Sequence, residues 1–492
     1  MQALIKWNTP FNWFFILYAL AGFMVLGDYG IPLDELTQRH IGLENAKYIS
    51  GTGNAASVAA HGFFGPVLEV VNYASEQLIY NHSLGDKLML RHIILFVIFL
   101  LSIRAFYVCA KYIAKVPMAA GLATTMYALY PALFAHAHYN SKDTFFLSLV
   151  VFILYFLVLF AKTGKLYHLI FLAAITGISA TVRLNGIFIL FALCVAFMVS
   201  GKSIFVMRLK RVGIIIGVFM FSFYLFYPFL WIVNFKGFSQ LLHYVTSNPW
   251  PWNTLAAGED IVAGHLPWWY LFGWMGVTIP LLTLALFLFG LVRLVQIKKT
   301  KFNLVETVIL CVLAIPLLYF LLFRPTIYNS WRHVQFIFVP ISLLVVFALN
   351  HILSLKFASY TAWIMGAYVL FTFALWHPYG HSYFNEIYAV AYKPATWDQD
   401  YWGLSANQGL KWVVENDKRD SIVISSFTES PELNAFLLPE KDQKRLHFIH
   451  QQGAGDYEVE VKRGRNFSDL KGTVVFTAVP LKDTLVRVVK LR

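Results

Sequence analysis

Apolar runs of roughly twenty residues recur along this chain between short polar connectors, the spacing expected of helices that cross a bilayer. They fall at roughly 11–27, 90–110, 117–136, 144–161, 166–182, 186–200, 212–231, 268–292, 304–323, 334–350 and 358–376, which predicts about eleven transmembrane helices. No small-residue cleavage site follows the first run, so it reads as a retained signal anchor. The connector 28–90 is too long for a simple turn. Within it, Pro66 to Tyr80 sets Val67, Val70, Val71, Ala74 and Leu78 on one helical face and Glu69, Asn72 and Glu76 on the other, predicting an amphipathic helix in the membrane interface. A second long connector, 232–267, carries Asn248-Pro249-Trp250-Pro251-Trp252-Asn253 and Pro267-Trp268-Trp269-Tyr270. Its prolines stop helices and its tryptophans suit the headgroup level. After Trp376 hydropathy falls. Residues 1–376 thus read as a transmembrane domain and 377–492 as a small soluble α/β domain. Its expected elements are a helix near 404–416, strands at Ser421–Ser425, Leu446–Ile449 and Val474–Ala478, and a short helix near 431–437.

Composition agrees: 58% of the 492 residues are hydrophobic and only 13% charged, too few to cover a soluble protein of this size. The net charge of +13 is a matter of topology and not a nucleic-acid footprint, because the cations cluster in alternate connectors. One set holds Lys6, Lys111, Lys115, Lys162, Lys165, Lys202, Arg208, Lys210, Arg211, Arg293, Lys298, Lys299, Lys301 and Lys356 without an acidic residue, and the positive-inside rule makes it cytoplasmic. The N-terminus is then cytoplasmic, and the long loops and the C-terminal domain face outward. Cys109, Cys194 and Cys311 fall in or beside apolar runs and read as small hydrophobes.

Four outward clusters carry chemistry: Asp34-Glu35 with Arg39 and His40; His136, His138, Asn140, Lys142 and Asp143; Arg183-Leu184-Asn185; and Tyr328 with Trp331-Arg332-His333. They lie at span ends on one side of the membrane, where helices can gather them over one cavity. Transfer of a sugar from a phosphate ester needs one carboxylate base and cations for a leaving group that is already anionic. A glycosidase needs two flanking carboxyls, a task that suits the adjacent Asp34 and Glu35 poorly. Each cluster also has a plainer reading. The acidic pair fits a solvated loop start, Lys142 and Asp143 an interfacial ion pair, and Arg183 and Arg332 side chains reaching headgroups. His136 and His138, two residues apart on a helix, point to different faces and suit hydrogen bonding better than metal ligation.

Taken together, several stretches resemble the dolichyl-phosphate-mannose protein mannosyltransferase-like branch of the GT-C glycosyltransferases, in particular its bacterial family 39 type. They are Leu33-Asp34-Glu35-Leu36-Thr37-Gln38-Arg39, His61-Gly62-Phe63-Phe64-Gly65-Pro66, Asn140-Ser141-Lys142-Asp143-Thr144-Phe145-Phe146, Trp331-Arg332-His333, His377-Pro378-Tyr379, Tyr383-Phe384-Asn385 and Asp400-Tyr401-Trp402-Gly403-Leu404-Ser405. The likeness lies in their ordered combination and reaches to about residue 416. Leu36 stands where related loops often have proline.

The resemblance implies a polytopic GT-C-like fold and an inverting transfer from a polyprenyl-phosphate sugar to a hydroxyl of an envelope glycan or protein. The setting it implies is the outer face of a bacterial inner membrane, with the C-terminal domain periplasmic. Asp34 is expected as the base, Glu35 as its support, and Asp143 as a second acidic residue near the site. Lys142, Arg183, Arg332 and His333 are expected around the donor phosphate, argued more from charge and side than from a family rule. Arg39, His138, Asn140, Asn185 and Tyr328 are the expected substrate contacts. Metal independence is expected, although Asp34, Glu35 and Asp143 are a conceivable ligand set for a divalent ion. Two other classes also fit a one-sided, basic membrane protein: a transporter or flippase of lipid-linked saccharides, and a ligase or polymerase that uses a lipid-diphosphate donor.

Overall fold

The computed structural model describes residues 10–62, 64–200, 204–233, 237, 239, 252–298, 301–390, 396–462, 467–480 and 484–492. Lys6, Phe63, Lys202, Asn248 to Pro251 and Lys299 lie outside the described residues, as does the Lys298 side chain.

Every predicted apolar run is helical. The long helices are α1 (Pro10–Met24), α4 (Leu84–Ile113), α5 (Pro117–Ala128), α6 (Pro131–Tyr139), α7 (Asp143–Thr163), α8 (Leu166–Val182), α9 (Gly186–Val199), α10 (Phe205–Leu225), α11 (Tyr270–Thr278), α12 (Leu281–Lys298), α13 (Leu304–Phe323), α14 (Phe338–Ile352) and α15 (Ala358–Trp376). The first outer loop adds α2 (Glu35–Ile49) and α3 (Val67–Glu76). The predicted run 212–231 is interrupted between Leu225 and Phe229, and two others bend sharply: α5 and α6 by 60° before Pro131, and α11 and α12 by 116° before Leu281. Proline explains both bends, since Pro131 opens α6 and Pro280 separates α11 from α12. Among the described residues, five helices are long and apolar enough to cross a membrane, or up to seven if each bent pair is one span. Eleven is therefore the number of predicted runs that are helical, and the number of crossings remains an expectation.

The amphipathic helix is present as α3, with its faces the reverse of what bulk water would impose. Glu69, Asn72 and Glu76 are at most 1% exposed, while Val71 and, just beyond the helix, Leu78 are 47% and 85% exposed. The polar face has buried partners to bind, described below, and an outward apolar stripe is what a helix at a bilayer surface presents.

In the second long loop a hairpin pairs β1 (Asn253–Ala256) with β2 (Glu259–Val262) through Ala257 and Gly258, at φ 52° and 86°. Two consecutive positive φ values are the signature of a type I′ turn. Asp398 holds the hairpin, accepting from Leu255 N at 2.9 Å and from Thr254 Oγ1 at 2.8 Å.

The C-terminal segment forms β3 (Ile422–Ser425), β4 (Leu446–Ile449), β5 (Tyr457–Val461), β6 (Thr473–Ala478) and β7 (Val486–Lys490) in the order β4-β3-β5-β7-β6. β3 runs parallel to β4 and β5, and β7 runs antiparallel to β5 and β6. Helix α16 (Ala406–Asn416) buries Leu410 and Val413 against Val459, Val486 and Val488 of the sheet. The three expected strands are β3, β4 and β6. β5 and β7 are additional. Helix α17 (Ser430–Ala435) covers the region of the expected short helix.

Candidate active site

Four segments far apart in sequence converge because helices α2, α7, α9 and α14 start, and α6 and α8 end, around one opening. They enclose a cavity of about 380 Å³ lined by Asp34, Glu35, Asn140, Lys142, Arg183, Asn185, Tyr328, Arg332 and His333. Nine of the twelve residues expected from sequence thus share one cavity. Asp143 lies directly behind the wall.

Asp34 precedes α2 and turns its carboxylate into the cavity. It is exposed to the cavity it lines, and the desolvation of that recess raises its pKa above the ordinary value. Arg332 opposes that rise, and Glu35 and Asp143 add to it. A carboxylate held this way is a better proton acceptor than a free aspartate.

Glu35 has a different place from the one expected. Its carboxylate turns away from Asp34 and accepts from Arg91 Nε at 2.6 Å, with His92 Nε2 3.9 Å from its other oxygen. Burial pushes its pKa up, but Arg91 and His92 outweigh that and hold it at about 2. Arg91, 2% exposed, also binds Glu69, and it reaches Glu76 at 3.4 Å. Arg39 pairs with Glu76 at 2.7 Å, and Lys142 lies 3.6 Å from Glu69 while donating to Gly65 O. Ser141 Oγ donates to Glu69 at 2.6 Å. Three cations, Arg39, Arg91 and Lys142, therefore balance three carboxylates, Glu35, Glu69 and Glu76. The cluster ties α2, α3, α4 and the start of α7 into one unit.

On the opposite wall Asp143 accepts from Arg183 Nη2 at 2.6 Å, Asn140 Nδ2 at 3.1 Å and Arg332 Nη1 at 3.4 Å. Asn140 Oδ1 in turn accepts from the Asp143 backbone at 2.9 Å, fixing the start of α7. Two arginines share one carboxylate here, which leaves one positive charge in surplus. Arg183 Nε, Arg332 Nε and His333 Nδ1 are buried without a partner among the described residues. Arg332 lies within 5.2 Å of the Tyr328 ring centre, 5.7 Å of Tyr401 and 5.1 Å of Trp402. The turn before it holds Asn329 and Ser330 at φ 55° and 72°, a strained backbone that aims Trp331 at Thr278 Oγ1, 2.9 Å away. Asn185 donates to His333 O at 2.7 Å.

Two expected contacts do not reach the cavity. Arg39 points down the other side of α2 to Glu76, and His138 sits between Phe134 O at 2.8 Å and Gly22 O at 3.1 Å, stacked on Tyr29 and Phe96. Asp34, Glu35 and Asp143 do not form a metal ligand set either. Glu35 is taken by Arg91 and Asp143 by two arginines, and no group of three or more His, Cys, Asp or Glu able to hold a metal occurs among the described residues. Sequence reasoning passed over Glu69, Gln38, Tyr139 and Trp402, of which the last three line the cavity. Gln38 and Trp402 left a signal, in the Leu33-to-Arg39 and Asp400-to-Ser405 stretches, and Glu69 one only as part of an amphipathic face. The far wall is apolar, with Phe64, Ile187, Phe188, Pro316, Tyr319 and Phe320, and Ile187 is 37% exposed on the outer surface of α9.

No protein-family model and no curated protein sequence matches the chain. Among solved structures it is similar to ArnT from Cupriavidus metallidurans bound to undecaprenyl phosphate, with 11% identity over 98% of each chain and a TM-score of 0.51. The chain has a GT-C-like fold. At this identity the likeness reaches the fold and no further. The apo oligosaccharyltransferase of Archaeoglobus fulgidus, 11% identical over 92% of this chain and 65% of its own, has a TM-score of 0.48, which adds nothing to the assignment. The GT-C-like fold accommodates the architecture seen here: an apolar helical body with a polar cavity around the starts of α2, α7, α9 and α14, and a C-terminal sheet.

Proposed function

We propose that this protein is an inverting glycosyltransferase that moves a sugar from a polyprenyl monophosphate to an acceptor hydroxyl. The observation that carries this reading is the cavity itself, in which Asp34 shares the lining with Arg183 and Arg332, two cations against the carboxylates of Asp34 and Asp143, while the far wall is apolar. Asp34 takes the acceptor proton as the new C–O bond forms at the anomeric carbon. The bond from that carbon to the phosphate oxygen breaks, and the leaving phosphate gains one negative charge. Proton transfer to Asp34 leaves Arg183 and Arg332 facing the Asp143 carboxylate alone, and the one positive charge so released suits that gain. A diphosphate donor would bring a further charge that the site does not balance, which favours the monophosphate over a diphosphate-dependent ligase or polymerase. The undecaprenyl phosphate bound by ArnT supports the donor class.

In this reading residues 1–376 are the catalytic membrane domain and 377–492 a soluble domain on the same side as the cavity. The charge alternation supports an outward-facing side, the resemblance to the bacterial family 39 type supports the periplasm of an inner membrane, and the acceptor in this reading is an envelope glycan or a protein. The test compares envelope glycans in a deletion strain carrying wild type or Asp34→Asn at equal membrane levels. The asparagine variant is expected to lose ~10²-fold or more of product, as for a missing general base. Undiminished product from Asp34→Asn would remove Asp34 as the base.

A further inference from the structure

The stretch Gly27 to Leu33, which delivers Asp34, is held largely by residues more than three hundred positions later. Ile31 N donates to Asn434 Oδ1 at 2.8 Å, and Asn434 Nδ2 returns a bond to Ile31 O at 3.3 Å while also reaching Ser430 O at 2.8 Å and Gly403 O at 3.4 Å. Asn434 is fully buried, and its amide meets the peptide of Ile31 as a neighbouring strand would. Upstream, Gln408 Nε2 donates to Asp28 O and Lys411 Nζ to Gly27 O, both at 2.9 Å. Downstream, Leu33 N donates to Trp402 O at 3.2 Å. Ile31 also packs with Leu433 and Leu88. Gly30 leaves no room for slack: a Cβ there would lie 2.3 Å from Asn434 Oδ1 and 2.4 Å from Leu404 O.

The density of these bonds exceeds what tethering a separate domain requires. A tether can attach anywhere, whereas these bonds fix the backbone of Gly27, Asp28, Ile31 and Leu33, all within seven residues of the proposed base. We propose that the C-terminal domain is part of the catalytic apparatus and that Asn434 is a positioning residue, clamping the Ile31 peptide so that Asp34 is held toward the phosphate-facing arginines. This rests on the reading of Asp34 as base. Asn434 acts through the backbone of Ile31 and Asp34 performs the proton transfer. Arg183, Lys142 and His333 line the same cavity, and Arg332, Glu35 and Asp143 act on the proton affinity of Asp34 only while the loop holds its place.

The experiment uses the full chain in lipid nanodiscs, with Asn434→Ala and, as a milder change at two partly exposed side chains, the double variant Gln408→Ala/Lys411→Ala. Deuterium uptake across 27–34 is expected to quicken while α4 and α7 keep their protection. Turnover is expected to fall ~10-fold or more in Asn434→Ala, with the donor KM within about twofold, since misplacement by about 1 Å is enough for such losses. The acid limb of the pH–rate profile moves to lower pH as water reaches Asp34. Loss of folded protein alone lowers the amplitude and leaves the limb in place. The clamp is refuted if uptake and limb are both unchanged in the two variants while Asp34→Asn is inactive. A fully active Asp34→Asn would instead refute the underlying reading, and the exchange data would still report on the clamp.

Discussion

Arg91 is the sharpest place to test the energetics of the site. Replacing it with methionine keeps much of its volume but leaves Glu35, Glu69 and Glu76, each at most 2% exposed, with only Arg39 and Lys142 as cations. Glu35 gives one measure of the loss. Burial raises its proton affinity, yet Arg91 and His92 bring it from an ordinary 4.5 to about 2. At about 1.4 kcal/mol per tenfold change, that is roughly 3 kcal/mol. Breaking a buried ion pair by removing one partner costs about 3–5 kcal/mol in general, so the two figures agree. The pH dependence carries the sign. In the wild type, Glu35 contributes stability that is present above pH 4.5 and lost as pH falls toward 2. In Arg91→Met its pKa lies above the unfolded value, so stability rises as pH falls through that range from neutrality. Thermal unfolding in nanodiscs, followed by tryptophan fluorescence from pH 7.5 to 5, separates the two cases. A variant with an unchanged midpoint, or one that does not gain on acidification, would refute the argument that the cluster is held by charge.

Two further predictions concern the cavity walls. Arg183→Gln and Arg332→Gln each remove the surplus positive charge and are expected to lower donor turnover ~10²-fold. Because both arginines bind Asp143, the double variant should lose less than the product of the two, which a four-enzyme kinetic cycle measures. Gly65→Ala would place a Cβ 1.5 Å from Thr181 O and disturb the carbonyl that holds Lys142. It should lower the thermal midpoint by the equivalent of about 2 kcal/mol or more, and an unchanged midpoint would show that the loop can move aside.

The site was more legible in the sequence than its supports were. Charged residues at span ends on one side of a membrane have little choice but to meet, so Asp34, Lys142, Arg183 and Arg332 were found by position alone. The cluster around Arg91 was hidden because hydrophobic periodicity says which residues share a face and not which face is buried. For α3 the default that polar means outward was reversed. Arg39 failed for a related reason. It follows Gln38, which lines the cavity, by one residue, and one residue on a helix is a turn of about 100°. His138 was attractive as an ionisable group, but its nitrogens are taken up by backbone carbonyls of two helices. Strands β5 and β7 do alternate, in Tyr457-Glu458-Val459-Glu460-Val461 and Val486-Arg487-Val488. Glu458 is nevertheless wholly buried, its Oε2 accepting from Ser425 Oγ and from Gly453 N at 2.9 Å, partners that only the fold brings to it. Bends at Pro131 and Pro280 divided two runs that composition alone joins.

Helix α3 also works as a float. A cylinder with hydrocarbon on its outward side and carboxylates on its inward side is at rest only at the waterline of a bilayer, and it is bolted through Arg91 to the helix that begins beside Asp34. The height at which chemistry occurs is thereby tied to the membrane surface and not to the length of any spanning helix. In the proposed function, lipids of different thickness would tilt or stretch the body below while Asp34 stays level with the headgroups.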